Sequence, residues 1–420
     1  MTPPGGERVP RHEVIAGLDI GTTKVTVVTG EIRENGNVSI TGVGHSASTG
    51  LRRGVVVDID GTVRAIDEAL EKARRMSGSE IRSVYLSLTG AHVASLTNHG
   101  VVAVAREDRE ITADDVHRVM EAARLVSVPA DREIIHLLPR QFIVDGYDGI
   151  RDPVGMVGMR LEVEAQIITC ATTALQNLLR SVYKAGLEVD EVVLASLASG
   201  EAVLAPAEKE LGVAVADIGG GTTDLAIFAG GGLLYASVLP VGGEHITNDL
   251  AVGLRTPLAQ AEKVKLEHGW AQAAATNDEL FFEIPKMSGM GGRQISERAV
   301  ATIIEARAQE IIQLIGREIK RSGHREAITG GLVLTGGTAR LRGLVELAAE
   351  ELDLPTRLGH PANLGALTDV VGGPDHATAV GLLLYAARSR AGTGGGRSRS
   401  RDGAFGSWLA RLRGFFREMF

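Results

Sequence analysis

Asp19-Ile20-Gly21-Thr22-Thr23-Lys24-Val25 and Asp217-Ile218-Gly219-Gly220-Gly221-Thr222-Thr223-Asp224-Leu225 repeat one pattern about two hundred residues apart. Each copy follows an apolar run, Val14-Ile15-Ala16-Gly17-Leu18 or Val213-Ala214-Val215-Ala216. Each leads into another, Val25-Thr26-Val27-Val28 or Leu225-Ala226-Ile227-Phe228. Both therefore read as strand, glycine turn, strand, with an acid at the end of the first strand. One copy alone reads equally well as a plain hairpin. Two copies imply a duplicated half, with two phosphate-holding hairpins facing each other across a cleft.

The chemistry follows from the residue types. Gly21, Gly219, Gly220 and Gly221 let the backbone turn tightly and approach phosphate oxygens. Successive N–H groups then form an anion-binding concavity. Thr22, Thr23, Thr222 and Thr223 add hydroxyl donors, and Lys24 adds a cation. Asp19 and Asp217 would repel phosphate directly, so they are expected to hold a hydrated Mg2+. Asp217 can also orient or activate an attacking water. The chain has no Gly-Lys dipeptide, which excludes a P-loop. The turn at 219–221 runs into a strand, which excludes a dinucleotide fingerprint.

A third glycine turn, Leu334-Thr335-Gly336-Gly337-Thr338-Ala339-Arg340, ends a strand and opens a helix. Gly336 and Gly337 there allow a flat adenine to lie on the backbone, and Arg340 can stack on the base. On an expected helix 257–268, Glu262 and Lys265 share a face, with Glu262 placed to accept from ribose hydroxyls. ATP with Mg2+ is the expected ligand.

The 420 residues suffice for two sizeable cores. Apolar residues make up 44 % and aromatics only 4 %, so Val, Ile, Leu and Ala must fill the interior. Cys170 is the single cysteine and sits in an apolar run, which fits a buried small side chain and a reducing cytoplasm. The scattered histidines predict no structural zinc. From Arg388 onward eight Arg face two acids, net +6, so the remainder carries −14 of the overall −8. An acidic body argues against nucleic-acid binding.

Pattern and punctuation divide the chain as follows. Residues 1–13 read as a disordered tail. The first lobe takes 14–84, 163–204 and 374–388, with an inserted subdomain at 85–162. The second lobe takes 205–230 and 301–373, with a small subdomain at 231–300. Residues 389–404 are Gly/Ser/Arg-rich and read as a flexible linker. Helices are expected at 62–76, 113–125 (capped by Thr112), 172–185, 197–204, 257–268, 297–319, 341–352 and 376–387.

The last sixteen residues become periodic again. On a helical wheel Phe405, Trp408, Leu409, Leu412, Phe415, Phe416, Met419 and Phe420 fall within an arc of about 140°. Arg411, Arg413 and Arg417 lie outside it. Such a helix is roughly 24 Å long, too short for a ~30 Å hydrocarbon core. Bulky apolar groups on one face and Arg on the other suit the interfacial plane of an anionic bilayer.

Two acid-tipped hairpins followed by a Gly-Gly-Thr turn, in this order, resemble the actin-like ATPase superfamily. Within it the chain resembles the bacterial cell-division family FtsA. The carriers are the two hairpins, Val238-Leu239-Pro240-Val241-Gly242-Gly243-Glu244-His245-Ile246-Thr247-Asn248-Asp249-Leu250, Ala261-Glu262-Lys263-Val264-Lys265, and the chain end. The resemblance implies an α/β, ribonuclease H-like duplicated, two-lobed ATPase fold closing on a nucleotide cleft. It implies that 85–162 serves filament and divisome contacts. It also implies that 231–300 binds the C-terminal tail of FtsZ, with Arg293 meeting that acidic peptide. Glu201 is matched to the water-orienting position of actin. The expected role is an ATP-dependent filament on the cytoplasmic face of the membrane at the division site, tethering the FtsZ ring and other divisome proteins, with weak ATPase activity at most. A small-molecule kinase of the same fold and a pilus-assembly actin homologue are the alternatives.

Overall fold

The computed structural model describes residues 14–33, 36–277, 279–285, 292–362 and 367–392. The expected tail 1–13 and the membrane-directed helix 405–420 lie outside the described residues, as does most of the expected linker.

Apolar runs punctuated by glycine turns build the first sheet. Its strands are β1 (Val14–Ile20), β2 (Lys24–Ile32) and β3 (Val38–Ala47), with a short ribbon of β4 (Leu51–Arg52) and β5 (Val55–Val56) beyond them. Helix α1 (Ile59–Ser77) follows. Asp58 starts it by accepting from the Gly61 N–H, and Gly78, in a left-handed conformation, ends it. The chain returns as β6 (Ser83–Leu88) and, much later, as β11 (Glu188–Leu194). The sheet order is β11-β6-β1-β2-β3, with β6 parallel to β1 and the β1–β3 meander antiparallel.

The second half repeats this plan. Its strands are β12 (Val213–Ile218), β13 (Thr223–Ala229), β14 (Gly232–Leu239), β17 (Leu332–Thr335) and β18 (Thr356–Leu358). Their order is β14-β13-β12-β17-β18, with β17 parallel to β12 and a β12–β14 antiparallel meander. The duplication read from two short motifs is thus a duplication of whole sheets. Both central strands are buried on both faces. In β12, Val213 and Val215 join the core of the first half, while Ala214, Ala216 and Ile218 join that of the second. Each fully buried Val or Ile side chain here contributes about 1.5–3 kcal/mol.

Helix α4 (Ala195–Val203), after α3 (Thr172–Lys184) and β11, and helix α11 (Ala377–Gly392), after α9 (Leu344–Leu352), β18 and the short α10 (Thr368–Val371), pack against each other between the halves. The long helix α8 (Glu297–Arg321), capped by Ser296, lays Val300, Ile304, Ile311 and Ile315 into the second core. Helices α6 (Gly243–Gly253) and α7 (Leu258–His268) precede it, with the ribbon β15 (Phe281–Pro285) and β16 (Gly292–Ser296).

An antiparallel sheet, β7-β10-β8-β9, makes a separate unit from β7 (Ala94–Ala103), β8 (Arg132–Val144), β9 (Tyr147–Ile150) and β10 (Arg160–Ala171). Helix α2 (Ala113–Arg124) covers it, and Val119, Phe142, Leu161 and Val163 form its own small core. Thr112 caps α2 in a reciprocal capping box with Asp115.

Several expected boundaries move. β6 belongs to the first sheet and β10 to the inserted one, so the insertion begins and ends later than 85–162. β14 belongs to the second main sheet although 231–300 was assigned to the small subdomain. In both cases a strand's sheet is set by its hydrogen-bond partner, which local pattern does not carry. Helix α11 runs to Gly392, into the expected linker, because Arg390 still packs on the body, 3.7 Å from Asp190.

Candidate functional site

Both hairpins close with the same bond. The Gly21 N–H donates to the Lys24 carbonyl and the Gly219 N–H to the Thr222 carbonyl, each at 2.9 Å. The registers Ile20↔Val25 and Ile218↔Thr223 make both turns four residues long. Thr22 and Thr23 therefore correspond to Gly220 and Gly221, and Lys24 corresponds to Thr222. The expected match of Thr22-Thr23 to Thr222-Thr223 is out of step by two. Thr223 opens β13, is fully buried, and spends its hydroxyl on the Val241 carbonyl at 2.8 Å, so it does not line the cleft.

The two turns touch. A side chain on Gly220 would come within 2.3 Å of Thr23 Cγ2, and one on Gly221 within 2.6 Å of Thr22 Oγ1. Glycine is required at these two positions so that one hairpin can lie on the other. Gly221 is consequently covered by Thr22 and is absent from the cleft wall. Helix α6 secures the second turn from behind: the Gly243 and Glu244 N–H groups donate to the Gly219 and Gly220 carbonyls at 2.9 and 2.8 Å.

A cleft of about 640 Å³ opens between the halves. Asp19, Gly21, Thr22, Thr23, Lys24, Asp217, Gly219, Gly220, Thr222, Glu262, Lys265, Gly336, Gly337 and Arg340, all singled out from sequence, line it together. Three acids stand on its floor. Asp19 accepts from Ser87 Oγ at 2.7 Å, and burial pushes its carboxyl up. Asp217 accepts from Thr378 Oγ1 at 2.7 Å. Burial raises it to about 6, with Thr378 opposing and the charge of Asp19 adding to the rise. Asp224 sits opposite Asp217 in the β12–β13 register, where the first half has Thr26 opposite Asp19. Its two oxygens accept from Thr89 Oγ1 at 2.6 and 2.7 Å, a bond that joins the first half to the second. Burial raises Asp224 to about 8, against the Thr89 bond and with the Asp217 charge adding to it. Among the described residues no three His, Cys, Asp or Glu side chains converge to ligate a metal directly. Such a donor set suits a cation that keeps its own waters, and a cation there would relieve the crowding of buried acids.

The far end of the cleft is built from the third turn and α7. Gly336 has φ of +89°, and a Cβ there would meet Asp217 Oδ1 at 2.4 Å. Thr338 Oγ1 donates to the Gly219 carbonyl at 2.8 Å, so the third turn braces the second hairpin. Lys265 Nζ reaches Glu262 at 2.7 Å, Thr247 at 2.9 Å and the Gly243 carbonyl at 3.2 Å. Arg340, expected to stack on a base, lies 3.3 Å from Asp375.

One expectation fails on geometry. Glu201 does not line the cleft; it is held by Lys209 at 2.8 Å and Arg388 at 2.9 Å on the outer side of α4. The helix turn that carries Glu201 points it toward α5 (Pro206–Leu211) and α11. Arg293 lies on β16 and donates to the Leu254 carbonyl, pinning the ribbon to the end of α6. The site residues outside every quoted motif are Ser87, Thr89, Asp375 and Thr378. Each is a lone polar residue at a strand or helix end, with no motif of its own. Asp224 and Thr338 stand inside the quoted repeat and third turn, where the pattern itself gives them no role.

Comparison with known proteins agrees with this architecture. The family model described as "Cell division protein FtsA" matches residues 214–381, and that of the "SHS2 domain inserted in FTSA" matches 90–169, from just before β7 to near the end of β10. The cell division protein FtsA of Pseudomonas aeruginosa is 42% identical over 377 residues, 90% of this chain and 90% of its own. That of Escherichia coli K12 is 35% identical over 416 residues, 97% of this chain and 99% of its own. Among solved structures, the PilM-PilN type IV pilus biogenesis complex aligns with a TM-score of 0.64 at 19% identity, covering 89% of this chain and 98% of that one. MreB5 of Spiroplasma citri, bound to ADP, aligns with a TM-score of 0.54 at 15% identity, covering 92% and 100%.

Proposed function

This chain belongs to the FtsA family of cell-division proteins and has its actin-like fold, and from that premise we propose that it is an ATP-switched filament that ties the FtsZ ring to the membrane. The observation that carries the nucleotide part is the contact of two acid-tipped hairpins across one cleft, Gly220 on Thr23 and Gly221 on Thr22. Backbone N–H groups of both turns, the hydroxyls of Thr22, Thr23 and Thr222, and Lys24 take the phosphates. Asp19 and Asp217 hold Mg2+ through its waters, and the ion supplies charge neutralisation of the phosphate chain. Glu262 and Lys265 take the ribose, and the backbone of Gly336 and Gly337 takes the base. With Glu201 engaged elsewhere, Asp217 is the residue left to orient a water, consistent with slow turnover.

Nucleotide held by residues of both halves fixes their angle, and that angle sets whether subunits stack. The Arg-and-aromatic periodicity of 405–420 supports binding to an anionic membrane surface; no helix among the described residues is long and apolar enough to cross one. A single such helix binds weakly, and a filament multiplies the attachment. The small subdomain of the second half, with α6, α7 and the start of α8, takes the FtsZ C-terminal tail. The protein then works at the cytoplasmic face of the division site.

Two measurements test this reading. Fluorescent ATP should bind with micromolar or better affinity only when Mg2+ is present; no binding would remove the nucleotide switch. Anionic liposomes with ATP should co-sediment the whole chain and not a chain ending at Ala404. Equal pelleting of both would remove the membrane anchor.

A further inference from the structure

Four basic side chains stand among the described residues of the cleft wall, and every one is already engaged. Lys265 is held by Glu262, Thr247 and a carbonyl. Arg342 lies over the Trp270 ring, 5.6 Å from its centroid. The remaining two, Lys24 and Arg340, share one partner. Asp375 lies 2.7 Å from Lys24 Nζ and 3.3 Å from Arg340 Nη1. The three come from separate parts of the chain: the first hairpin, the third turn, and the short turn Pro374–His376 that leads into α11. Lys24 and Arg340 are also the cations assigned to the phosphate end and the base end of the ligand.

Asp375 is mostly shielded, at 19% side-chain exposure. Burial alone would raise its carboxyl, but the hydrogen bond and charge of Lys24 hold it below the usual value. His376 lies 3.5 Å away and is itself pushed down to about 4, chiefly by burial and then by Lys24, so it leaves the carboxylate charge to Lys24 and Arg340. A phosphate oxygen drawn onto the same ammonium would stand a few Å from this carboxylate, and like charges that close in a partly buried wall repel.

We propose that Asp375 is an internal anion that competes with the ligand's phosphates for Lys24, so that it sets how strongly the cleft distinguishes long phosphate chains from short ones. This rests on the cleft being a nucleotide site. Without ligand, Asp375 satisfies Lys24 and Arg340. A ligand long enough to reach Lys24 must displace the carboxylate; one that stops short leaves the pair intact. Asp375 is therefore a specificity-determining residue that lowers affinity for the ligand it selects.

The test measures competition of ATP, ADP and AMP against a fluorescent ATP analogue, with Mg2+, on the full chain. Asp375→Asn is expected to tighten ATP about three- to tenfold and to change AMP less than about twofold. In a Lys24→Ala background the same substitution should bring no gain. Weaker or unchanged ATP binding by Asp375→Asn, equal gains for ATP and AMP, or a gain that survives without Lys24 would each overturn the proposal. Wild-type chain that fails to bind ATP defeats the nucleotide reading itself, whereas wild-type binding with an indifferent Asp375→Asn defeats only this inference. Thermal melting checks the fold, with Asp375→Ser as a second variant; if neither folds, Asp375 is a structural residue and the proposal falls.

Discussion

In the first half the turn Gly21–Lys24 offers two hydroxyls and an ammonium group to the cleft; in the second the turn Gly219–Thr222, closed by the same backbone bond, is mostly bare backbone. Behind the first turn stands one acid, Asp19, with Thr26 across the register. Behind the second stand two, Asp217 and Asp224. The scaffold was duplicated down to strand order, and the side chains then diverged. One half supplies donors. The other supplies a second buried acid and a rigid floor, clamped by α6 and the third turn. A cleft assembled from such unlike halves suits the proposed ligand, an anion that brings its own cation.

The sharpest way to break this comparison is to fill the bare turn. Gly220→Val would drive a side chain into Thr23. Overpacking of this kind costs about 1–3 kcal/mol, so ATP affinity should fall roughly 10- to 100-fold. Gly21→Ala, whose nearest obstacle is the Lys24 carbonyl at 3.0 Å, should cost less than about threefold. Equal losses in a binding titration would show that the turns are interchangeable. Next come the acids. Asp217→Asn should weaken Mg2+-dependent ATP binding about tenfold, and Asp19→Asn by a similar factor, while binding in EDTA stays weak and unaltered. A variant equally weakened with and without Mg2+ would detach the acids from the ion.

The unequal number of acids predicts an unequal response to pH. Asp224 and Asp217 are raised in the folded protein to about 8 and about 6. The folded state therefore holds protons that the unfolded chain has released by about pH 4–5, and stability falls as pH rises from there through 6 and on to 8. Nucleotide-free protein should lose several degrees of melting temperature between pH 5 and 8. Asp224→Asn should flatten the part above pH 6 and roughly halve the slope below it, where Asp217 alone is left to release a proton. An unchanged profile would mean that Asp224 ionises freely. The smallest effect belongs to Thr223, whose hydroxyl serves only the Val241 carbonyl. Thr223→Val should cost about 1 kcal/mol of stability and leave ATP affinity alone; Thr22→Val, on the cleft wall, should weaken ATP.

Legibility followed the range of the signal. The hairpins, the third turn and most helices were visible because glycine placement, caps and apolar period are local properties. The α2 cap at Thr112 and the start of α8 are found where the sequence places them. The match of Thr22-Thr23 to Thr222-Thr223 was misjudged because identical letters suggested equivalence, whereas the register counts positions from the strands. Glu201 was misjudged because its neighbourhood depends on how α4 rotates against α11, and no residue near it in sequence records that.

The chain by itself determined that there are two halves, where each turns, and which acids tip the strands, since backbone conformation and burial pattern are written residue by residue. Only the folded structure decided that Thr89 bonds Asp224 across the cleft, that Thr378 bonds Asp217, and that Asp375 ties Lys24 to Arg340. The Thr89, Thr378 and Lys24 contacts join residues 135 to 351 apart, and the Arg340 contact joins residues 35 apart. Their geometry exists only once two sheets and the crossing of α4 with α11 have set the halves at one distance and one angle.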